Sequence, residues 1–341
     1  MKKAAAAASV MLMILIFPQA SVDGARNAMS VWCRSVAPAL FPFFVLMPIL
    51  AGDEACAACE RFLSGVMNKV FRMSGAAAPA MLIGMLSGSP AGALAITRVA
   101  TGGRLGRTEV QRLAMAVCGL SPSFLILGIG QEMYGSIQFG WKLAAIQLAV
   151  QILILLLTRG MERKDEDLRI ETIENRGGIK AAVENILAVC GYMVLFGAIS
   201  AVIAMIIGKQ AGELLLLLLD LPGGSAVLSG KEIRGRLLLQ LAATGFGGMC
   251  IALQNMDNLG KAKVTWKQYL TGRCMSMILF VIIGGVFAGP FSAENVVKYE
   301  KENVNIFAAS LLTACLGLIP LIYSVGKTYF LTKENLEKQE H

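Results

Sequence analysis

Histidine is almost absent from this 341-residue chain, since the only one is His341 at the last position. Without an internal histidine, Ser-His-Asp triads and sites that need imidazole as a metal ligand or proton relay are excluded. The P-loop motif is also incomplete, because Gly326-Lys327-Thr328 has Leu321 where the first glycine belongs. We therefore expect no ATP-driven pumping by this chain alone and no cofactor, and we predict that it is not an enzyme.

Cysteine is present but forms no metal or redox pattern. Six of the eight cysteines lie in or beside apolar segments, where a thiol usually behaves as a small hydrophobic group. Cys56 and Cys59 form a CxxC, but no second pair accompanies it. We therefore predict no metal site and no redox site.

Charged residues are scarce, at 16% of the chain, whereas 56% of the residues are hydrophobic. Soluble domains usually have about a quarter of their residues charged. The apolar residues also occur in blocks of about 20, the length of a helix that crosses a bilayer. This composition nearly excludes a soluble enzyme and predicts an all-α, polytopic membrane protein with about eight transmembrane helices.

The net charge of +8 comes from lysines and arginines in short loops beside the apolar blocks. This distribution is typical of the positive-inside bias of membrane proteins rather than of nucleic-acid binding. The expected partners are therefore the lipid bilayer and a small-molecule solute, with no nucleic acid; a homo-oligomer is left open.

The N-terminal residues 1–21 have two interpretations. Lys2 and Lys3 precede an apolar run at 4–17, which fits either a cleaved signal peptide or a retained transmembrane helix or signal anchor. Pro18 fits poorly beside a cleavage site, so we favour retention.

Four apolar segments are interrupted near their middles by glycine, serine and proline. The interruptions lie at 87–92, 119–123, 220–225 and 245–248. Two precede and two follow a strongly charged stretch, so we predict a first half at 22–158, a cytoplasmic linker at 159–178 and a second half at 179–290. Residues 291–341 are predicted to contain a last transmembrane helix, at 306–323, and a cytoplasmic tail.

Charge placement predicts how these segments lie in the membrane. If the first and third interrupted segments are re-entrant hairpins, most basic clusters fall on the cytoplasmic side, and the second half is inverted relative to the first. The exception is the cluster Lys231, Arg234 and Arg236, which would face outside. Such an outer basic cluster arises by chance or serves to attract an anion.

Unwound backbone inside a bilayer is tolerated only where protein or a water-filled cavity surrounds it. We therefore expect the four interruptions to surround a solute, with half-helix N-termini that form an anion site. The predicted substrate-pathway residues are the small and polar ones of these segments: Ser87, Gly88, Ser89, Pro90, Gly92, Ser121, Pro122, Ser123, Gly223, Gly224, Ser225, Gly247, Gly248, Gln254 and Asn255.

Alternatives to this pathway stay open at two places. Gly84, Gly88 and Gly92 recur at intervals of four, which is also a motif for close helix packing without a ligand. Asp220 and Asp257 lie near segment ends, so each is either a functional buried carboxylate or an interfacial residue. The order of four interruptions in two halves favours a pathway over packing alone.

Several motifs in this chain resemble those of a known family. They are Gly24-Ala25-Arg26-Asn27, Leu86-Ser87-Gly88-Ser89-Pro90-Ala91-Gly92-Ala93, Ser121-Pro122-Ser123-Phe124, and Gly245-Phe246-Gly247-Gly248-Met249 with Gln254. They resemble the YlbJ (SpoVV) sporulation integral membrane proteins, of the nucleoside recognition, or Gate-domain, group. That group is similar to parts of concentrative nucleoside transporters and of the ferrous-iron transporter FeoB. The resemblance extends over about 22–289, but the turn at 119–121 and the segment 221–224 depart from the family's pattern.

The resemblance implies two Gate-like halves, transport activity and a location in a bacterial cell membrane, with the outer forespore membrane as the specific expectation. It further implies that the solute is dipicolinate, a small dianion, during sporulation. We therefore expect a transporter or facilitator of a small anionic organic solute. Two alternatives are a nucleoside or nucleobase carrier, which would have a coupling carboxylate near the bilayer centre, and a non-transporting sporulation scaffold.

Overall fold

The computed structural model describes residues 2–101, 103–161, 178–231 and 235–287, and regular structure within these ranges is helical throughout. Arg234, residues 162–177 of the predicted linker, and the predicted last helix and tail lie outside the described residues. The boundaries of the two predicted halves and their inversion stay predictions.

Fourteen α-helices make up most of the described chain. They are α1 Lys2–Ile16, α2 Pro18–Val31, α3 Ala37–Leu50, α4 Asp53–Val66, α5 Ala78–Ser87, α6 Ala91–Ala100, α7 Arg107–Val117, α8 Ile137–Leu157, α9 Ile179–Ile207, α10 Lys209–Leu219, α11 Leu221–Ser229, α12 Arg236–Phe246, α13 Met249–Leu259 and α14 Trp266–Phe287. Short π-helical and 3₁₀ segments join several of them: Trp32–Val36, Met67–Phe71, Gly75–Ala77, Phe124–Met133 and Thr158–Gly160.

Five helical stretches are long and apolar enough to cross a bilayer: Pro18–Ile49, Ile137–Gly160, Ile179–Ile207, Arg236–Leu259 and Trp266–Phe287. A sixth candidate is the pair Asp53–Phe71 and Gly75–Ser87, bent by 104°. The prediction of an all-α, polytopic membrane protein is confirmed. The described residues contain fewer full spans than the eight expected, because α6, α10 and the π-helix Phe124–Met133 are too short to cross by themselves.

The same order of elements occurs twice along the chain. A pair of short helices packed against each other (α5–α6, then α10–α11) is followed by a broken span (α7 with the π-helix Phe124–Met133, then α12–α13). A continuous span, α8 or α14, follows in each case. Close packing in the first pair depends on glycine, since a Cβ on Gly92 would lie 2.9 Å from the Cα of Gly84. The glycines of this segment therefore serve close helix packing, and the segment is also broken between α5 and α6.

The third helix break is shorter than the sequence predicts. Gly223, Gly224 and Ser225 lie inside α11, and the chain leaves helical geometry only at Asp220. The Asp220 carboxylate accepts a hydrogen bond from the Gly223 N–H at 3.1 Å, and Pro222 lies in the first turn. Aspartate is a favoured N-cap and proline a favoured first-turn residue, so these two override the helix-breaking tendency of the glycines.

Candidate functional site

The two breaks of the first half lie against each other. Gly88 has a φ of +62° and ψ of −158°, and a Cβ at this position would overlap the backbone nitrogen of Ser121. The Ser89 N–H donates to the Gly119 carbonyl at 2.7 Å, and the Ser89 hydroxyl donates to the Cys118 carbonyl at 2.9 Å. The end of a helix leaves carbonyl groups without partners, and at the end of α7 Ser89 of the first break supplies the hydrogen-bond donors.

The breaks of the second half join the same centre. A Cβ on Gly248 would lie 3.1 Å from the backbone nitrogen of Leu221, so the start of α13 lies beside the start of α11. From α13, the Asn255 amide donates to the Ser89 hydroxyl at 2.9 Å and to the Tyr269 hydroxyl of α14 at 2.8 Å. All four breaks are thus brought together, and we call this meeting point the crossing.

A cavity lies at the crossing, and we call it the central cavity. Its polar lining consists of Ser89, Ser121, Asp220, Cys250 and Gln254. The remaining lining is apolar and includes Leu40 of α3, Val189 and Met193 of α9 and Phe124 of the π-helix Phe124–Met133. Its volume is about 30 Å³. In this conformation it has room for about two waters, so passage of an organic solute requires it to widen.

The first turns of four half-helices border the central cavity. Ser89 lies just before α6, Phe124 begins the π-helix, Pro222 lies in the first turn of α11 and Cys250 in that of α13. A helix N-terminus carries partial positive charge and unpaired N–H groups. The half-helix N-termini expected from the sequence therefore meet here, but the anionic group beside them is the protein's own Asp220 carboxylate.

Asp220 also lines a second, larger cavity between α2, α9, α10 and α11, which we call the vestibule. The vestibule has a volume of about 460 Å³. Asn27, Ser200 and Glu213 contribute polar groups to its lining, and Gly223 also lies there. Since Asp220 is 0% exposed and borders both cavities, its side chain lies at the boundary between them.

The predicted pathway residues differ in how close they lie to the central cavity. Ser89, Ser121 and Gln254 line it. Gly88, Gly92, Ser123, Gly248 and Asn255 support the crossing through their packing or hydrogen bonds. Ser87, Pro90, Pro122 and Gly247 lie at or beside the breaks and do not line the cavity. Gly224 packs instead against Leu217 of α10, and the Ser225 hydroxyl accepts a hydrogen bond from Gln240 of α12.

The described members of the predicted outer basic cluster have structural partners. Lys231 forms an ion pair with Glu213 at 2.9 Å. The Arg236 guanidinium donates to the carbonyls of Ser229 and Lys231 where α11 ends, and it lies over the Tyr134 ring. These two cations therefore fasten the end of α11 to its neighbours, and the charge of Lys231 is balanced by Glu213.

Sequence reasoning left Asp220 undecided and missed Cys250, Tyr269 and Arg273. Arg273 is 1% exposed within the α14 span, and its guanidinium donates to the Met115 carbonyl at 2.9 Å. A lone arginine in an apolar span was the available signal, since such charges usually face the protein interior. For Tyr269 and Cys250 the sequence offers no local signal, because their contacts come from segments far away in the chain.

These features define a multi-pass helical membrane protein whose broken helices meet around a polar centre. Residues 33–137 match the family model described as "Gate: Nucleoside recognition". The chain is similar to the "Sporulation integral membrane protein YlbJ" of Bacillus subtilis (strain 168), with 24% identity over 329 residues that cover 82% of this chain and 78% of the relative. No solved structure matches it. The resemblance inferred from the sequence motifs is confirmed by both matches.

Proposed function

We propose that this chain is a membrane transporter or facilitator of a small organic solute and that it catalyses no reaction. The observation that carries the proposal is the meeting of four half-helices around one polar cavity. Unwound backbone at bilayer depth is found where protein buries it or where it lines a water-filled cavity, and broken helices in two repeats are typical of transporter binding sites. The vestibule supplies a route to that cavity which stops at Asp220.

Dipicolinate, moved during sporulation across the outer forespore membrane, is the first candidate solute. The similarity to the sporulation protein YlbJ supports a role in sporulation. The four helix N-termini would favour a solute carboxylate, and the Phe124 ring in the cavity lining suits an aromatic solute. The Asp220 carboxylate opposes a dianion, so this candidate requires Asp220 to be neutral when the solute enters.

A nucleoside or nucleobase is the second candidate, and two observations favour it. The matching family model is described as nucleoside recognition. In addition, the described lining of the central cavity offers hydroxyl, amide and aromatic groups with one carboxylate and no lysine or arginine. Such a lining suits an uncharged polar aromatic solute.

Solute uptake into proteoliposomes tests the proposal. We expect saturable uptake of labelled dipicolinate by the wild-type chain and about fivefold lower uptake by Gln254→Leu, since the lost solute hydrogen bond is worth about 1 kcal/mol. Gln210→Leu is the matched control, because Gln210 is exposed at the start of α10. It should transport like the wild type.

Other outcomes select among the alternatives. Saturable uptake of labelled uridine with none of dipicolinate would replace the first candidate by the second. If neither solute moves, and both the wild type and Gln254→Leu restore sporulation to a Bacillus subtilis strain without YlbJ, the chain acts as a scaffold and the transport proposal is wrong.

A further inference from the structure

Asp220 is the only carboxylate in the described lining of the central cavity, and its charge has no counterion there. Its Oδ2 accepts the Gly223 N–H, whereas Oδ1 has no nitrogen or oxygen donor among the described residues. Burying an ionised carboxylate without a cation costs several kcal/mol. A carboxylate retained under these conditions inside a membrane protein is expected to have a functional role.

The ionisable groups around Asp220 leave its charge uncompensated. From α13, the Cys250 thiol lies against it, and from α10, Glu213 lines the vestibule but is paired with Lys231. The parts of α2 and α9 that line the two cavities carry no charged side chain. Arg236, the first residue of α12, lies at the other end of α11. There it contacts the ring of Tyr134, which directly follows the π-helix Phe124–Met133.

The groups around Asp220 suit a proton better than a metal cation. Sodium or calcium needs several oxygen ligands, whereas helix N-termini present N–H groups. In the described part of the chain, no cluster of three or more histidine, cysteine, aspartate or glutamate side chains could hold a metal.

The vestibule brings water close to Asp220, which is itself 0% exposed, and a solute in the central cavity would lie against the same residue from the other side. We propose that Asp220 is a proton-binding site at the boundary of the two cavities, and that its protonation admits the solute. A proton from water in the vestibule binds the carboxylate and removes the negative charge. Departure of the solute restores the charge and releases the proton. The coupling rests on the proposed transport function, whereas the proton site itself does not.

The variant Asp220→Asn isolates the charge. Asparagine is as good an N-cap as aspartate, and its amide oxygen can still accept the Gly223 N–H, so α11 should keep its start. Asp257→Asn is the matched control, since Asp257 is an exposed carboxylate two residues after Asn255 that accepts a hydrogen bond from the Tyr192 hydroxyl.

Infrared difference spectroscopy of the full-length protein in lipid, recorded against pH, tests the proton site without any solute. Acidification protonates other carboxyl groups too, so the test is the C=O stretching component that differs between variants. We expect the wild type and Asp257→Asn to share one component that is missing from Asp220→Asn. Spectra of the wild type and Asp220→Asn with the same components would overturn the proposal. So would a band whose pH dependence shifts when sodium replaces potassium.

Coupling is tested by dipicolinate uptake into proteoliposomes with an alkaline interior. We expect the pH difference to stimulate uptake several-fold in the wild type and Asp257→Asn and to have no effect in Asp220→Asn. Equal stimulation of Asp220→Asn would overturn the coupling. If the infrared band behaves as expected but the wild type moves neither dipicolinate nor uridine, the proposed function fails and the proton site stands.

Discussion

Gly88→Ala is expected to destabilise the protein by about 4 kcal/mol and to abolish solute movement. The combination of φ +62° and ψ −158° is essentially restricted to glycine, so an alanine here costs on the order of 1–3 kcal/mol in backbone strain. Its Cβ would also overlap the Ser121 backbone, which adds about 1–3 kcal/mol of overpacking. Because relief requires the first two breaks to separate, the crossing itself changes shape. Unfolding in detergent and uptake in proteoliposomes measure the two effects.

Gly135→Ala is the matched control for this substitution. Gly135 has a φ of +64°, and a Cβ there would meet no atom within 4 Å. It should therefore show only the cost of a positive φ, about 1 kcal/mol, and retain uptake. If Gly88→Ala were no more harmful than Gly135→Ala, close contact between the breaks would be unimportant.

Arg112→Met is expected to lower the free energy of unfolding by on the order of 3 kcal/mol. Arg112 is 2% exposed, and its guanidinium donates to the carbonyl of Phe71 at 2.7 Å and to that of Leu155 at 2.8 Å. These carbonyls lie near the ends of the π-helix Met67–Phe71 and of α8. A methionine fills the space but removes both donors, so that Leu155 keeps only a 3.3 Å hydrogen bond from the Thr158 hydroxyl, and each loss costs about 1–3 kcal/mol.

Arg104→Met provides the comparison, because the sequence places both arginines in the same basic cluster. Arg104 forms an exposed ion pair with Glu60 at 2.8 Å, and such pairs contribute about 0–1 kcal/mol. Thermal unfolding should separate the two variants clearly. Equal destabilisation would show that Arg112 contributes mainly through charge rather than through the helix ends it joins.

The helix breaks could be predicted from the sequence because their causes are local. Adjacent Gly247 and Gly248 adopt φ values of +89° and +82°, which other residues rarely take, and α12 ends there as expected. At the third break, by contrast, Asp220 and Pro222 start a helix that the following glycines do not interrupt. The signal was present, since an aspartate two residues before a proline fits the start of a helix, but the glycines were given more weight.

The arrangement of the crossing could not be predicted because it depends on contacts between distant segments. The Asn255–Ser89 hydrogen bond joins residues 166 positions apart. The sequence likewise cannot distinguish Arg104, which is exposed, from Arg112, which is buried. In both cases the neighbours are set by how helices pack, and spacing along the chain does not encode that.

The most direct test of the crossing as a solute pathway is the reactivity of Cys250 in a variant that retains it as the sole cysteine. Cys250 lines the central cavity, whereas Cys118, equally buried, does not. We expect a charged, membrane-impermeant methanethiosulfonate to label Cys250 in proteoliposomes much faster than the Cys118-only variant, and saturating solute to slow that labelling. Equal labelling rates, or labelling of Cys250 only by lipid-soluble reagents, would contradict an aqueous pathway through the four helix breaks.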